Sequence, residues 1–334
     1  MRDPSTRSRF GETVVFAKAA LILCVIPAFT TLSSCHRNRA EIAVIPVTTA
    51  ITMWEAEHAG AESAARRVGL RIRWNAPTRE SDVESQIGLV DRAVNERCRG
   101  LILTPDQPRA FMVPIQRALA AGMRILVVGA TLPLPPQRNL SYIVTDDEVV
   151  GRIAAMRIDE VLHGKGEVAV VGIDPSSLDS LTVLSSFVSA IEQRYPKIFI
   201  VDRRSASSSD LDSALVVNQV LLSHPHVGAI FALDPHGAMG AYYALNTRSL
   251  TNRIKIVGVH QTAEVIDAIR LHQIDSIIAD DTYQMGYRAV EALAQSEAKS
   301  LGVLKLTPML ITARNVDSTA ARPFITNGWR SDYQ

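Results

Sequence analysis

Six side chains stand where chemistry could be done. Thr104, Asp234, His260 and Asp280 each follow a short apolar run that reads as a buried strand, and Met53-Trp54 follow the first such run. In open parallel sheets the carboxyl ends of the strands face the ligand crevice, so these positions share one address. Two carboxylates and an imidazole facing a crevice could form an acid–base set. They could also hold a polar solute, or cap the helices that follow, as Asp234 would before Gly237 and Asp281 before Tyr283. Ligand contact is the preferred reading, ahead of capping, with catalysis last. A Met-Trp pair at a loop-to-helix junction suits stacking on the apolar face of a sugar ring.

The motifs of covalent and phosphoryl chemistry are missing. The chain has no G-x-x-x-x-G-K-[ST], no G-x-G-x-x-G after a strand, no H-E-x-x-H, no G-x-S-x-G and no C-x-x-C. Gly164-Lys165-Gly166 reads as a helix-to-strand turn. His224 and His226 flank Pro225 and read as an exposed turn rather than a metal site. Cys98 has no patterned partner and reads as a packed thiol. No catalytic residue, metal or cofactor is expected. The net charge of +1 over 334 residues leaves no basic footprint for nucleic acid, and Arg66-Arg67 and Arg203-Arg204 read as solvated faces. A small-molecule partner is expected instead.

The elements that would position these residues alternate regularly. Residues 42–47 form an apolar run of the kind buried on both faces of a parallel sheet. Small and apolar residues recur at helical spacing over 53–68, Gly69 stops them, and 70–74 alternates like a second strand. Ser81-Asp82-Val83-Glu84 reads as a capping box opening a helix. Strands are predicted at 101–104, 125–128 and 142–145, with a helix through Phe111, Ile115 and Leu119 that Gly122 ends. A second round predicts strands at 168–173, 198–201, 229–233, 254–259, 276–279 and 309–313. Helices fall between them at about 149–162, 180–194, 210–222, 237–245, 263–271 and 283–295. The fold class is therefore α/β, two Rossmann-like lobes with doubly wound parallel sheets and a cleft between them. The polar tail from Asn315 has no usable period.

The first 35 residues read as a targeting segment. Arg2, Arg7, Arg9 and Lys18 precede an apolar run over 19–29 that is short for a bilayer. Leu32-Ser33-Ser34-Cys35 then resembles the bacterial lipobox, in which Cys35 is lipidated and becomes the first residue; an uncleaved anchor is the alternative. Either way the remainder is exported, with Cys98 left alone and no disulfide possible.

The order of segments resembles the type I periplasmic binding proteins of ABC importers, in particular the ribose and other sugar-binding members, which share their fold with lactose-repressor-type effector domains. Carrying the resemblance are Met53-Trp54 with Ala59-Gly60-Ala61, residues 100–105, Ala120-Ala121-Gly122 and Thr145-Asp146-Asp147 followed by Gly151. Residues 221–227 leading into 229–232, then Gly240-Ala241 and Ile256-Val257-Gly258, complete it. The resemblance implies a signal peptide over 1–35, one lobe over 41–145 plus about 281–308, a second over 146–280 plus about 309–320, and a tail over 321–334. It puts stacking on Met53 and Trp54, polar contacts on Thr104, Asp234, His260 and Asp280, and a multi-strand hinge near Thr145, Asp280 and Pro308. It implies a monomer that carries a sugar-like ligand to an ABC permease, or reports it to a membrane receptor or kinase. The departures are specific. The family's Asp-Arg pair after the fourth strand is Gly129-Ala130 here, and the arginine near Ser180 is missing, with Leu181 and Val183 around it. Asp234 replaces an Asn and His260 an Asp. Without an arginine fork for vicinal hydroxyls, two acids suit an amine-bearing ligand better than ribose or an ordinary hexose.

Overall fold

The computed structural model describes residues 41–49, 53–79, 81–207, 209–295 and 300–325. The expected signal segment and Cys35 lie outside these residues, as does the side chain of Met53. Among the described residues no helix is long and apolar enough to cross a membrane.

Two six-stranded sheets form, each flanked by helices. The first holds β1 (Glu41–Ile45), β2 (Arg71–Trp74), β3 (Gly100–Leu103), β4 (Arg124–Val128), β5 (Leu140–Thr145) and β11 (Val303–Leu306), in the order β11-β5-β4-β3-β1-β2. The second holds β6 (Gly166–Ile173), β7 (Ile198–Ser205), β8 (Val227–Ala232), β9 (Lys255–Val259), β10 (Ser276–Ala279) and β12 (Met309–Thr312), in the order β12-β10-β9-β8-β6-β7. Every pairing is parallel except β10 with β12. The central strands are apolar on both faces because helices cover both, which is why β3 (GLIL) is buried throughout. In each sheet the chain order reverses beside the first strand, so a ligand crevice is expected where the central strands end.

The helices in chain order are α1 (Met53–Val68), α2 (Val83–Asn95), α3 (Met112–Ala120), α4 (Asp147–Leu162), α5 (Leu178–Arg194), α6 (Asp210–Ser223), α7 (Pro235–Thr247), α8 (Ala263–Arg270), α9 (Thr282–Ala294) and the short α10 (Arg322–Ile325). Three connections pass between the sheets: β5 into α4, β10 into α9, and β11 into β12. The chain returns to the first sheet because α9 packs on α1 through glycines. A Cβ at Gly60 would collide with the Tyr283 carbonyl oxygen, and one at Gly286 with that of Glu57. Arg67 and Glu291 form an ion pair across the same crossing.

Three local expectations are corrected. The cap of α2 is Asp82, whose carboxylate accepts from Ser85 N at 3.1 Å, while Ser81 turns through φ 65° and cannot fill that role. Strand β11 was not read from the sequence, because Val-Leu-Lys-Leu at a sheet edge alternates exposed and half-buried positions and carries no apolar run. The segment expected as a tail begins in packed structure: Val316 and Ala321 are buried in the core beneath the second sheet, and α10 follows.

Candidate functional site

Where the ends of the two sheets face each other lies a cavity of about 340 Å³. The first sheet contributes Pro105 and Asp106 after β3, Gly129 and Ala130 after β4, and Thr145 at the end of β5. The second contributes Gly172 in β6, Leu233 and Asp234 after β8, Val259 and His260 at the end of β9, and Asp280 after β10. Asp174 after β6, Asp147 on α4 and Asp179 on α5 complete the charged wall. Among the described residues the lining holds six aspartates and one histidine but no lysine or arginine, so the cavity is acidic.

His260 and Asp280 form the best-defined pair in it. His260 takes up φ 61°, a left-handed conformation uncommon outside glycine, and this turn at the end of β9 carries its ring into the cavity. His260 Nδ1 stands 2.6 Å from Asp280 Oδ2, and Thr145 Oγ1 donates to Asp280 Oδ1 at 2.6 Å. Burial alone would lower the imidazole pKa, but the Asp280 carboxylate outweighs it and lifts His260 to about 9. The ring keeps 46% of its surface open to the cavity, so the contact with Asp280 rather than burial governs its charge. Burial likewise opposes ionisation of Asp280, and the imidazolium and the Thr145 hydroxyl overcome it, holding its pKa below the ordinary value. The pair is thus a charged one at neutral pH, with Asp280 neutralised internally.

Asp234 serves as cap and as wall. Its carboxylate accepts from Gly237 N at the start of α7, and burial raises its pKa against that bond. Gly172, at φ 77°, lets β6 pass beneath it: a Cβ there would sit 2.7 Å from Asp234 Oδ2. Capping and ligand contact are therefore compatible at this residue. Asp281, by contrast, is the half-buried cap of α9, accepting from Gln284 N at 2.9 Å.

Two buried glutamines fix the rims, and neither was legible beforehand. Gln86 on α2 donates to the carbonyls of Pro46 at 2.9 Å and Thr104 at 2.8 Å and accepts from Asp106 N at 3.1 Å, tying the exits of β1 and β3 together. Gln261 does the same in the second sheet, donating to Asp280 O at 2.9 Å and accepting from Asp280 N at 3.0 Å. Side-chain amides that satisfy strand-end backbone groups in this way hold the exits rigid without a helix or a ladder.

The remaining expected site residues fall elsewhere. Thr104 does not line the cavity: it is buried, and its Oγ1 donates to Glu57 Oε2 at 3.1 Å within the first lobe. The residues that follow it, Pro105 and Asp106, take its place in the wall. Burial lifts the Glu57 carboxyl to about 8, only partly countered by Thr104, so Glu57 is protonated at neutral pH. Trp54 sits half-buried in the first turn of α1, with its indole Nε1 buried and unpartnered, and is not among the residues lining this cavity. Cys98 is the packed thiol expected. It is buried, accepts from Arg73 Nη2 at 2.9 Å, and is pushed up in pKa by burial. His224 pairs with Asp202 at 3.4 Å, and no group of three potential metal ligands occurs among the described residues.

Asp147 and Asp179 were overlooked, although each follows a strand. Burial first, then the neighbouring Asp179 and Asp280 carboxylates, push Asp147 up to about 8. Burial also raises Asp179, against hydrogen bonds from Thr131, whose Oγ1 lies at 3.3 Å. Acids in the first turn of a helix read as ordinary partners of its dipole. Their position two and six residues beyond the strands β5 and β6 was the available signal.

The chain has clear relatives. A family model described as a periplasmic binding protein domain matches residues 42–299. The D-allose-binding periplasmic protein of Escherichia coli (strain K12) is 21% identical over 272 residues, covering 80% of this chain and 87% of that relative. Among solved structures, the sugar-binding protein of a sugar ABC transporter from Bacillus halodurans aligns with a TM-score of 0.76 and 23% identity, over 83% of this chain and 99% of that one. An ABC transporter solute-binding protein from Agrobacterium vitis, bound with alpha-D-tagatopyranose, gives a TM-score of 0.76 at 21% identity, over 85% of this chain and 98% of that one. Each of these relatives is a binding protein rather than an enzyme, and likeness at such identities concerns the fold.

Proposed function

Because the chain belongs to the periplasmic binding protein domain family, whose members are exported, we propose that it is a solute-binding protein that captures a small polar, sugar-like ligand between its lobes and delivers it to an ABC-type permease. The observation that carries the reading is the 340 Å³ cavity walled by strand ends of both sheets, with three chain connections between those sheets. A site shared by two lobes makes its full set of contacts only when they approach, so ligand binding favours the closed form by its differential affinity. Named sugar-binding relatives support the ligand class.

His260, Asp234 and Asp280 are the polar contacts of the second lobe, joined by Asp147 and Asp179. In the first lobe Asp106 lines the cavity, and Trp54, at the mouth of β1, supplies an aromatic face that closure brings to the ligand. Thr104 acts behind the wall through Glu57. The His260–Asp280 pair orients and polarises, with no turnover, since a ring held charged by its own carboxylate is a poor general base near neutrality. Attachment to a membrane through a lipid on Cys35 is part of the proposal, and a lipid-modified N-terminal Cys35 peptide in mass spectrometry would establish it.

The test is thermal unfolding of the full chain with pentoses, hexoses, polyols and amino sugars, since a ligand bound only by the native state raises Tm. At least one compound should give a saturable rise that His260→Ala abolishes. Folded protein that responds to none of them would refute the reading.

A further inference from the structure

Charge in the cavity is unevenly accounted for. Asp280 is matched by His260 at 2.6 Å and Thr145 at 2.6 Å, and Asp234 by the Gly237 N–H at the start of α7. Asp147 and Asp179 have no described cation in hydrogen-bond contact, and His260 and, for Asp147, Lys305 act on them only through space. No described donor hydrogen-bonds the Asp147 carboxylate, and Asp179 accepts only from the neutral Thr131. The one amine near them, Lys305 on β11, lies outside the cavity lining and pairs with Asp146 at 3.4 Å. On the first-lobe side, Asp106 lines the same cavity with its Oδ2 buried and without a partner. Asp147 keeps its proton at neutral pH for want of such a partner, and Asp179 and the orphaned Asp106 acceptor face the same cavity, so a positive group entering there would let the acids ionise together.

Resting on the solute-binding reading above, we infer that Asp147 and Asp179 form an ammonium subsite and that the ligand is a small polyol or sugar bearing a protonated amine. A metal ion would need its ligands converging on one point, and no described group of three does so. An ammonium tolerates carboxylates spread along one wall, because it offers three donors in different directions. A neutral sugar would leave Asp147 holding its proton and Asp179 without a matching cation in a site it had closed off from water. The described lining, without arginine or lysine, fits the same ligand: among those residues only the His260 imidazolium would repel a cation, and Asp280 already holds it.

Proton linkage gives a signature independent of stereochemistry. The group involved, Asp147, faces Asp179 on α5, His260 after β9, Asp280 after β10 and Lys305 on β11, and its carboxyl carries a proton below about pH 8. An entering ammonium must displace that proton, so binding releases protons at pH 7 and tightens as pH rises from 6 until the ligand's own amine begins to deprotonate. Above the ligand's own amine pKa it weakens again.

The experiment is isothermal titration of the full chain with D-glucosamine, D-galactosamine and D-mannosamine against their parent hexoses, with putrescine as a ringless amine. At least one amino sugar should bind tenfold or more tightly than its parent, with proton release seen as a buffer-dependent heat. Asp147→Asn and Asp179→Asn should each shrink the ratio of amine to parent-sugar affinity at least threefold, read as that ratio within each variant rather than as the parent sugar's own affinity. A parent sugar that binds as tightly as its amine overturns the ammonium subsite and leaves the solute-binding reading standing. Putrescine binding more tightly than every sugar supports the subsite and overturns the sugar-like ligand. No binding by any of the compounds to folded protein overturns the subsite, and the wider sugar and polyol series then decides the solute-binding reading separately.

Discussion

Replacing Asp147 with asparagine should stabilise the unliganded protein, by an amount that grows with pH. Asp147 stands half-buried at the start of α4 with its pKa moved from an ordinary 3.8 to about 8. The folded state therefore holds this proton more tightly than the unfolded chain, and stability declines as pH rises from about 4 to about 8. Roughly four pH units at about 1.4 kcal/mol each set a ceiling of about 6 kcal/mol above pH 8. The cavity is open to solvent and the asparagine forfeits a favourable helix-dipole contact, which together bring the expected gain to about 1–2 kcal/mol. For a chain of this size that is a rise in Tm of about 2–6 °C. Calorimetry of wild type and Asp147→Asn from pH 4 to pH 9 provides the assay. The two should melt together near pH 4 and separate steadily up to pH 8. A difference that is flat with pH, or a variant less stable than wild type at pH 8, would refute the electrostatic reasoning and with it the case for an unmatched carboxylate.

Glu57→Gln should match the wild type near pH 5 and exceed it at pH 9 in urea denaturation, because the Glu57 carboxyl at about 8 is protonated in the fold and loses stability as pH rises through that value. Thr145→Val removes the donor that reaches Asp280 at 2.6 Å and should cost about 1–3 kcal/mol by the same assay, since the acceptor is a buried carboxylate. Gly60→Ala forces a methyl against the Tyr283 carbonyl oxygen where α1 crosses α9, and should lower stability by at least about 2 kcal/mol without altering the cavity lining.

The lobes were legible because their signals are local. Buried parallel strands such as Leu101–Ile102–Leu103 are apolar at every position, and Gly69 and Gly122 end their helices at φ 68° and 80°. The strand-exit rule then found His260, Asp234 and Asp280, all three in the cavity wall. It failed at Thr104 because the last residue of a run can face either way: here the hydroxyl turns inward to a buried acid on α1, a partner 47 positions distant in sequence. Asp147 and Asp179 were missed for the converse reason, since a helix-starting acid looks complete on its own. What makes them functional candidates is the absence of a matching cation, and that emerges only when both lobes close around one space. Gln86 and Gln261 show the same limit, because an amide that clamps two strand exits has no sequence pattern at all. Local periodicity therefore reports where a cavity must be, whereas its charge balance depends on side chains from α4, α5, β9 and β10 meeting at one end of the sheet. The proposed ligand class follows from that balance: among the six described aspartates of the wall one is matched by His260 and one by the start of α7, and the rest favour a positively charged group.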